Sequence, residues 1–273
     1  MLGDSRTALA ELQQTLTARF DDASSALSLA ESGTDLMSVV GVLDSERVLR
    51  STLADSALPL DNKKQLIDQL LAGKVSAVAQ SVMDQIVTSR WSDDSDMVDA
   101  VEVSAATLVL MGAELDGRID SVEEELFRFG RAIDANADLQ MALTNPAASP
   151  ASKAALVRAL LAGKAAPETT LLVANVAGSL RGRRIQDAVV ELSELAAARR
   201  GRIIADVRAA TPLTSEQESR LVAALAQLHG RAVELNVALD PTVIGGIEVR
   251  IGDEVIDGTA ATKLEQARRR LTS

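Results

Sequence analysis

"LLAGK" stands at residues 70–74 and again at 160–164. A Gly-Lys pair after an apolar run could be half of a phosphate-binding loop or the end of a helix built twice. A phosphate loop needs a glycine five residues before the Gly-Lys and a Ser or Thr after it, to surround phosphate and magnesium. Those positions hold Asp68 and Val75 in the first instance, Arg158 and Ala165 in the second. The helix reading fits better. Ser149 can cap a helix with Pro150 at its first position, and Leu156, Val157, Leu160 and Leu161 make one stripe. Gly163 then sits where a left-handed residue ends the helix, with Lys164 at its negative end. The first instance repeats this with Asp61 as cap, Leu66, Ile67, Leu70 and Leu71 as stripe, and Gly73 as stop.

The offset of 90 residues holds beyond these motifs. Lys63, Leu66 and Ile67 fall on Lys153, Leu156 and Val157; Leu36, Asp44, Leu49 and Leu53 fall on Leu126, Asp134, Leu139 and Leu143. A constant offset across several segments is the mark of a duplication. Breaks at Asn145-Pro146, Gly163, Pro167 and Gly182 divide the second copy into helices over 119–133, 136–144, 150–162, 167–181 and 183–200. One segment, near 95–113, is both the last helix of the first copy and the first helix of the second. Asp93, Asp94 and Asp96 favour its start, and Val98, Val101, Ala105 and Leu108 form a stripe with Val103 and Leu110 off it. Such breadth suits a helix packed on two sides. Trp91 is expected in the core beside it.

After Gly201 the period changes. Ile203, Ala205 and Val207 alternate with Ile204, Asp206 and Arg208, as do Val233, Leu235, Val237 and Leu239, and then Ile247, Val249 and Ile251. Thr214-Ser215-Glu216-Gln217-Glu218 offers two overlapping capping boxes before Leu221, Val222, Leu225 and Leu228. Gly252-Asp253 suits a hairpin turn into Val255-Ile256, and a final helix is expected from about Thr259. The expected fold is mainly α. Two tandem helical-bundle copies (1–94 and 95–201, sharing a helix near 95–113) precede a small α+β, β-α-β-β-α domain at 202–273.

Composition narrows the function. The chain has 273 residues, 47 % apolar but only 1 % aromatic, so Ala, Leu and Val must build the core. Cysteine is absent, which removes disulfides, thiolate metal sites and cysteine nucleophiles. Net charge is −11, concentrated at the start: residues 1–100 carry 8 basic and 16 acidic side chains. An acidic chain this poor in aromatics is a poor nucleic-acid binder, so protein surfaces are the expected partners. No run of about 18 apolar residues spans a bilayer, and Met1 to Arg6 lacks the pattern of a secretory signal.

Reactive constellations are missing. His229, the one histidine, is expected in the last turn of a helix, where a cation is favoured, with no nucleophile beside it in sequence. Glu123-Glu124-Glu125 reads as a solvated face. Gly245-Gly246 precedes a strand and not a helix, so a bulge or unusual backbone angle is expected there in place of a phosphate cradle. Arg181, Arg183 and Arg184 either compensate a helix C-terminus or form a basic rim for an acidic peptide. An enzyme would need at least two convergent ionisable groups, which no motif supplies. A general helical scaffold with an unrelated partner is the other alternative.

"DPTVIGGIEVRIGDEVIDGTAATKLEQARRRL", residues 240–271, resembles the C-terminal signature of the delta subunit of F-type ATP synthases, the oligomycin-sensitivity-conferring protein family. Gly245, Gly246, Gly252, Asp253, Ile256, Asp257, Gly258, Leu264 and Glu265 carry the likeness. Residues 97–239 also look like the family's six-helix domain and the start of its C-terminal one. The first hundred residues are a departure, and the duplication accounts for them as an additional N-terminal domain. The resemblance implies a non-catalytic stator subunit without cofactors or metal, one copy per complex, peripheral on the cytoplasmic face of the cell membrane. It implies alpha-subunit N-terminal helices and the peripheral-stalk b subunit as partners. The family groove lies between the first and fifth helices, which puts Val101, Leu108, Leu172 and Val176 on its walls, with Arg181, Arg183 and Arg184 nearby.

Overall fold

The computed structural model describes residues 3–20, 25–229, 232–240, 243, 245–251 and 254–257. Two compact units divide the chain after Arg199.

The first unit is entirely helical among the described residues. Its helices are α1 (Asp4–Phe20), α2 (Ala26–Ser45), α3 (Arg47–Ala54), α4 (Leu60–Leu71), α5 (Ala77–Thr88) and α6 (Asp94–Leu115). Then follow α7 (Ile119–Ala135), α8 (Ala137–Thr144), α9 (Pro150–Leu161), α10 (Pro167–Gly178) and α11 (Ile185–Arg200). The duplication is exact to the residue in three helices: α3, α4 and α5 become α8, α9 and α10 on adding 90. Local chemistry repeats with it. Gly73 and Gly163 take φ of 66° and 69°, the left-handed stop that glycine adopts without a Cβ penalty. Lys74 Nζ and Lys164 Nζ donate to the carbonyls of Leu70 and Leu160, at 2.9 and 3.1 Å. Ser149 caps α9 by accepting from Ser152 N at 3.1 Å. In the first copy, however, the N-cap is Pro59, and Asp61 lies in the first turn, where its charge still complements the helix dipole.

Cross-helix caps also recur. Asp35 on α2 accepts from Ser76 N at 2.7 Å, and Glu125 on α7 accepts from Ala166 N at 2.8 Å. Each carboxylate satisfies an amide at the start of a fifth helix that its own helix cannot.

α6 belongs to both copies. It packs on α1, α2, α3 and α5 on one side and on α7 and α10 on the other. Fifteen of its residues are buried, Val98, Val101, Ala105, Leu108 and Leu110 among them, so no polar stripe runs its length. One continuous core results, and no compact-unit boundary falls between the copies near residue 94. Trp91 is 9 % exposed in that core, its Nε1 donating to the Ile86 carbonyl at 2.7 Å.

α2 alone among the described helices is long and apolar enough to cross a membrane. Its Leu29, Leu36, Val40 and Leu43 are instead buried in the core, where α2 lies against α6. Glycine permits the closeness: a Cβ at Gly33 would stand 2.6 Å from Val109 Cγ2 and 2.8 Å from the Ala105 carbonyl oxygen.

The second unit holds β1 (Arg202–Ala209), α12 (Ser215–His229), β2 (Ala232–Leu239), β3 (Ile247–Ile251) and β4 (Glu254–Asp257). The sheet order is β2-β1-β3-β4, with β1 and β2 parallel and the other pairs antiparallel. Val207 sits opposite Val237 on one side and Val249 on the other, aligning the buried face across three strands. Of the two possible capping boxes one forms: Thr214 N donates to Gln217 Oε1 at 2.8 Å, and Gln217 N to Thr214 Oγ1 at 3.3 Å. Gly245 and Gly246 have φ of 66° and 85°, the unusual backbone angles expected before β3. Gly252, Asp253, Gly258, Leu264, Glu265 and the expected final helix lie outside the described residues.

Candidate functional site

The arginine cluster lies at the turn between α10 and α11. α10 stops at Gly178, three residues before the expected end, with Ser179 as its C-cap, and Arg181 and Gly182 in the turn beyond both adopt positive φ, 48° and 80°. A left-handed conformation is unfavourable for a residue with a Cβ and persists where surrounding contacts enforce it. Arg181 Nη2 reaches Asp99 Oδ1 at 2.7 Å and also bonds Glu102, both on α6. Its Nε lies 4.0 Å from Asp44 at the end of α2, and Ser179 Oγ donates to the same carboxylate at 2.6 Å. Arg183 Nη2 donates to both oxygens of Glu102 at 2.7 and 2.8 Å, and its Nη1 to Glu191 at 2.9 Å.

This cluster fastens the two copies together. The turn comes from the second copy, Asp44 from the first, and Asp99 and Glu102 from the shared helix. Burial works against the Arg183 charge, but Glu102 and Glu191 hold its pKa above the ordinary arginine value. Arg184 stands apart, 79 % exposed and paired with Asp187 on its own helix. Arg181 and Arg183 are thus committed to internal carboxylates and leave no basic rim.

The four expected wall residues are also internal. Val101 and Leu108 are 0 % exposed, Leu172 1 % and Val176 3 %, so none offers a face to an incoming helix in this structure. The reason is that α10 packs on α6, so the apolar faces bury each other. No motif in the sequence marks Asp99 or Glu102 as partners of these arginines, whereas Asp44 keeps its place in the repeat as Asp134.

The open concavity lies elsewhere, between α7 and α11. It has a volume of about 310 Å³ and a floor that includes Leu126, Gly130 and Val189. Among the described residues, no group of acidic or histidine side chains is arranged to hold a metal ion.

The Asp99 carboxyl is pushed up by burial, against the pull of Arg181 and Arg183, with nearby Glu102 adding to the rise. A raised carboxyl binds its proton more readily folded than unfolded. Its contribution to stability therefore falls as pH rises from the ordinary carboxylate range through the raised value. The stability of wild type relative to Asp99→Asn should then improve as pH is lowered from 7 towards about 4. Urea midpoints of both proteins across that range check this. A difference that stays flat, or moves the other way, would show that ion pairing and not burial governs Asp99.

The family model described as "ATP synthase delta (OSCP) subunit" matches residues 104–271, more than half of the chain. The chain belongs to the ATP synthase delta (OSCP) subunit family. A Streptomyces griseus protein named ATP synthase subunit delta is 44% identical over 268 residues, covering 98% of each chain. A Nocardia farcinica protein of that name is 44% identical over 271 residues, covering 99% of this chain and 100% of its own. A Streptomyces coelicolor one is 44% identical over 274 residues, covering 100% and 99%. The additional first hundred residues are therefore shared with these delta subunits. A chain from a Toxoplasma gondii mitochondrial ATP synthase hexamer matches 62% of this chain and 96% of its own at 17% identity. Its TM-score is 0.27. As a delta/OSCP subunit, the protein is a non-catalytic component of the ATP synthase stator.

Proposed function

We propose that this delta/OSCP subunit links the top of the catalytic head to the peripheral stalk and resists rotational torque. On this reading the helical unit engages N-terminal helices of the alpha subunits, and the unit beginning near residue 202 holds the b subunit. The complex lies at the cytoplasmic face of the cell membrane, with this subunit peripheral to it. The observation that carries the proposal is the near-full-length likeness to delta subunits, on a chain that divides into two compact units of different architecture.

Mechanically, a stator joint must pass load without yielding. A helix shared by two bundles suits this, because a force on either copy acts on the core of the other. The Arg181–Arg183–Glu102 cluster adds directional contacts that resist shear. The division of labour follows: residues 95–201 grip the head, and residues 1–94 brace them.

Removal of residues 202–273 tests the proposal. The remaining helical fragment should still bind the isolated head but lose the stalk protein, both read by pull-down with purified components. Full retention of stalk binding by the fragment would show that the second unit does not hold the stalk.

A further inference from the structure

The groove between α7 and α11 leaves apolar side chains of the second copy in solvent. Phe127 is 59 % exposed and Val190 51 %, across a floor of Leu126, Gly130 and Val189. Asp134 and Glu194 line it with Arg131, giving two carboxylates to one guanidinium. No ion pair within 4.0 Å joins these three charges.

In the first copy the corresponding face of α2 is closed by α6. Leu126, Phe127, Gly130 and Asp134 correspond to Leu36, Met37, Val40 and Asp44. There Leu36, Met37 and Val40 are 0 %, 8 % and 1 % exposed. Asp44 takes the Ser179 hydroxyl at 2.6 Å and has Arg181 Nε at 4.0 Å. Val190 corresponds to Ala100, which is fully buried. Leu126, like Leu36, is fully buried, so the second copy differs in leaving Phe127 and Val190 in solvent and in placing no arginine by Asp134 as Arg181 stands by Asp44.

We propose that the α7–α11 groove docks a basic amphipathic helix of a partner polypeptide, its apolar side chains over Phe127, Gly130 and Val190 and a Lys or Arg at Asp134 and Glu194. The walls run from 126 to 134 and from 186 to 194, about 12 Å at the helical rise, enough to seat about two turns. Burial of the apolar face provides the attraction, and the carboxylates fix the direction in which the helix lies. A basic partner is selected because an acidic helix would bring like charge to Asp134 and Glu194. The proposal rests on the reading of the second copy as a helix-docking module, but not on which subunit supplies the helix.

The test uses the full-length protein and a fluorescent designed peptide of about five helical turns, with a leucine face flanked by arginines. A second peptide carries glutamates in place of the arginines. Anisotropy should show binding of the first peptide and not the second. Asp134→Lys with Glu194→Lys should weaken binding about tenfold, the loss expected when a pair of complementary charges is reversed. Gly130→Leu, which fills the floor without touching a charge, should weaken it as well, and unchanged urea midpoints show that the variants fold. Equal binding of both peptides, or undiminished binding by both variants, overturns the proposal. So does a self-dimer in sedimentation that Gly130→Leu dissolves, since a second copy of this chain would then be the occupant. The peptide assay needs neither head nor stalk, so its failure is distinct from loss of stalk binding on removing 202–273.

Discussion

Glu102→Ala should destabilise the helical unit by about 3 kcal/mol, the low end of what breaking a buried ion pair costs. Glu102 is 8 % exposed and receives three charge-assisted hydrogen bonds, two from Arg183 and one from Arg181. Alanine leaves both guanidiniums in place with their shared acceptor gone. The low end applies because Asp99 and Glu191 remain as partners and the arginine side chains are 15 % and 27 % exposed. Arg184→Ala should change stability by less than about 0.5 kcal/mol, because its i,i+3 pair with Asp187 lies in water. Replacing Glu102 by Leu together with Arg183 by Met should recover part of the loss, since Arg181 keeps Asp99 as its partner and the exposed Glu191 returns to water. Urea denaturation of the four proteins provides the comparison. If Glu102→Ala costs no more than Arg184→Ala, the cluster is not the fastening described above.

Gly33→Ala and Gly130→Ala should act in opposite directions. Alanine in a helix interior is favoured over glycine by roughly 0.5–1 kcal/mol when nothing obstructs its methyl group. At Gly130 the nearest atom to a new Cβ is Val189 Cγ1 at 3.6 Å, an ordinary contact, so the substitution should stabilise. At Gly33 the Cβ meets a methyl group at 2.6 Å and a backbone oxygen at 2.8 Å. Val109 can rotate away, but the Ala105 carbonyl belongs to the buried shared helix, so α2 must move off α6. Overpacking of that kind costs about 1–3 kcal/mol, which outweighs the propensity gain. Thermal or urea unfolding of both variants decides the signs. A stabilising Gly33→Ala would mean that the α2–α6 contact is looser than the structure has it.

These two glycines also explain how far the repeat can be trusted. Adding 90 to Gly33 gives Glu123, and adding 90 to Val40 gives Gly130, so the small residues of the two copies do not coincide. The exchange accompanies a change in packing. α2 lies closely along α6, whereas α7 and α11, their equivalents, leave the groove at Phe127 and Val190.

The two glycine helix stops, the strand periods and the family signature are properties of neighbours in the chain, and the sequence by itself determined them. Gly73 and Gly163 stop helices because glycine takes the left-handed conformation there without a Cβ penalty, whatever packs nearby. The alternation in 203–207 and 247–251 declares strands for an equally local reason, and residues 240–271 pointed to the delta/OSCP family. The tertiary structure alone decided which apolar faces are spent. Val101 and Leu172 are buried in the core, while Phe127 and Val190 stay in solvent, although all four are apolar residues of helices. It also decided that Arg181 and Arg183 pair with Glu102 of this chain. Burial and ion pairing are properties of what lies opposite a side chain, and here the opposing groups come from helices dozens of residues away in the chain.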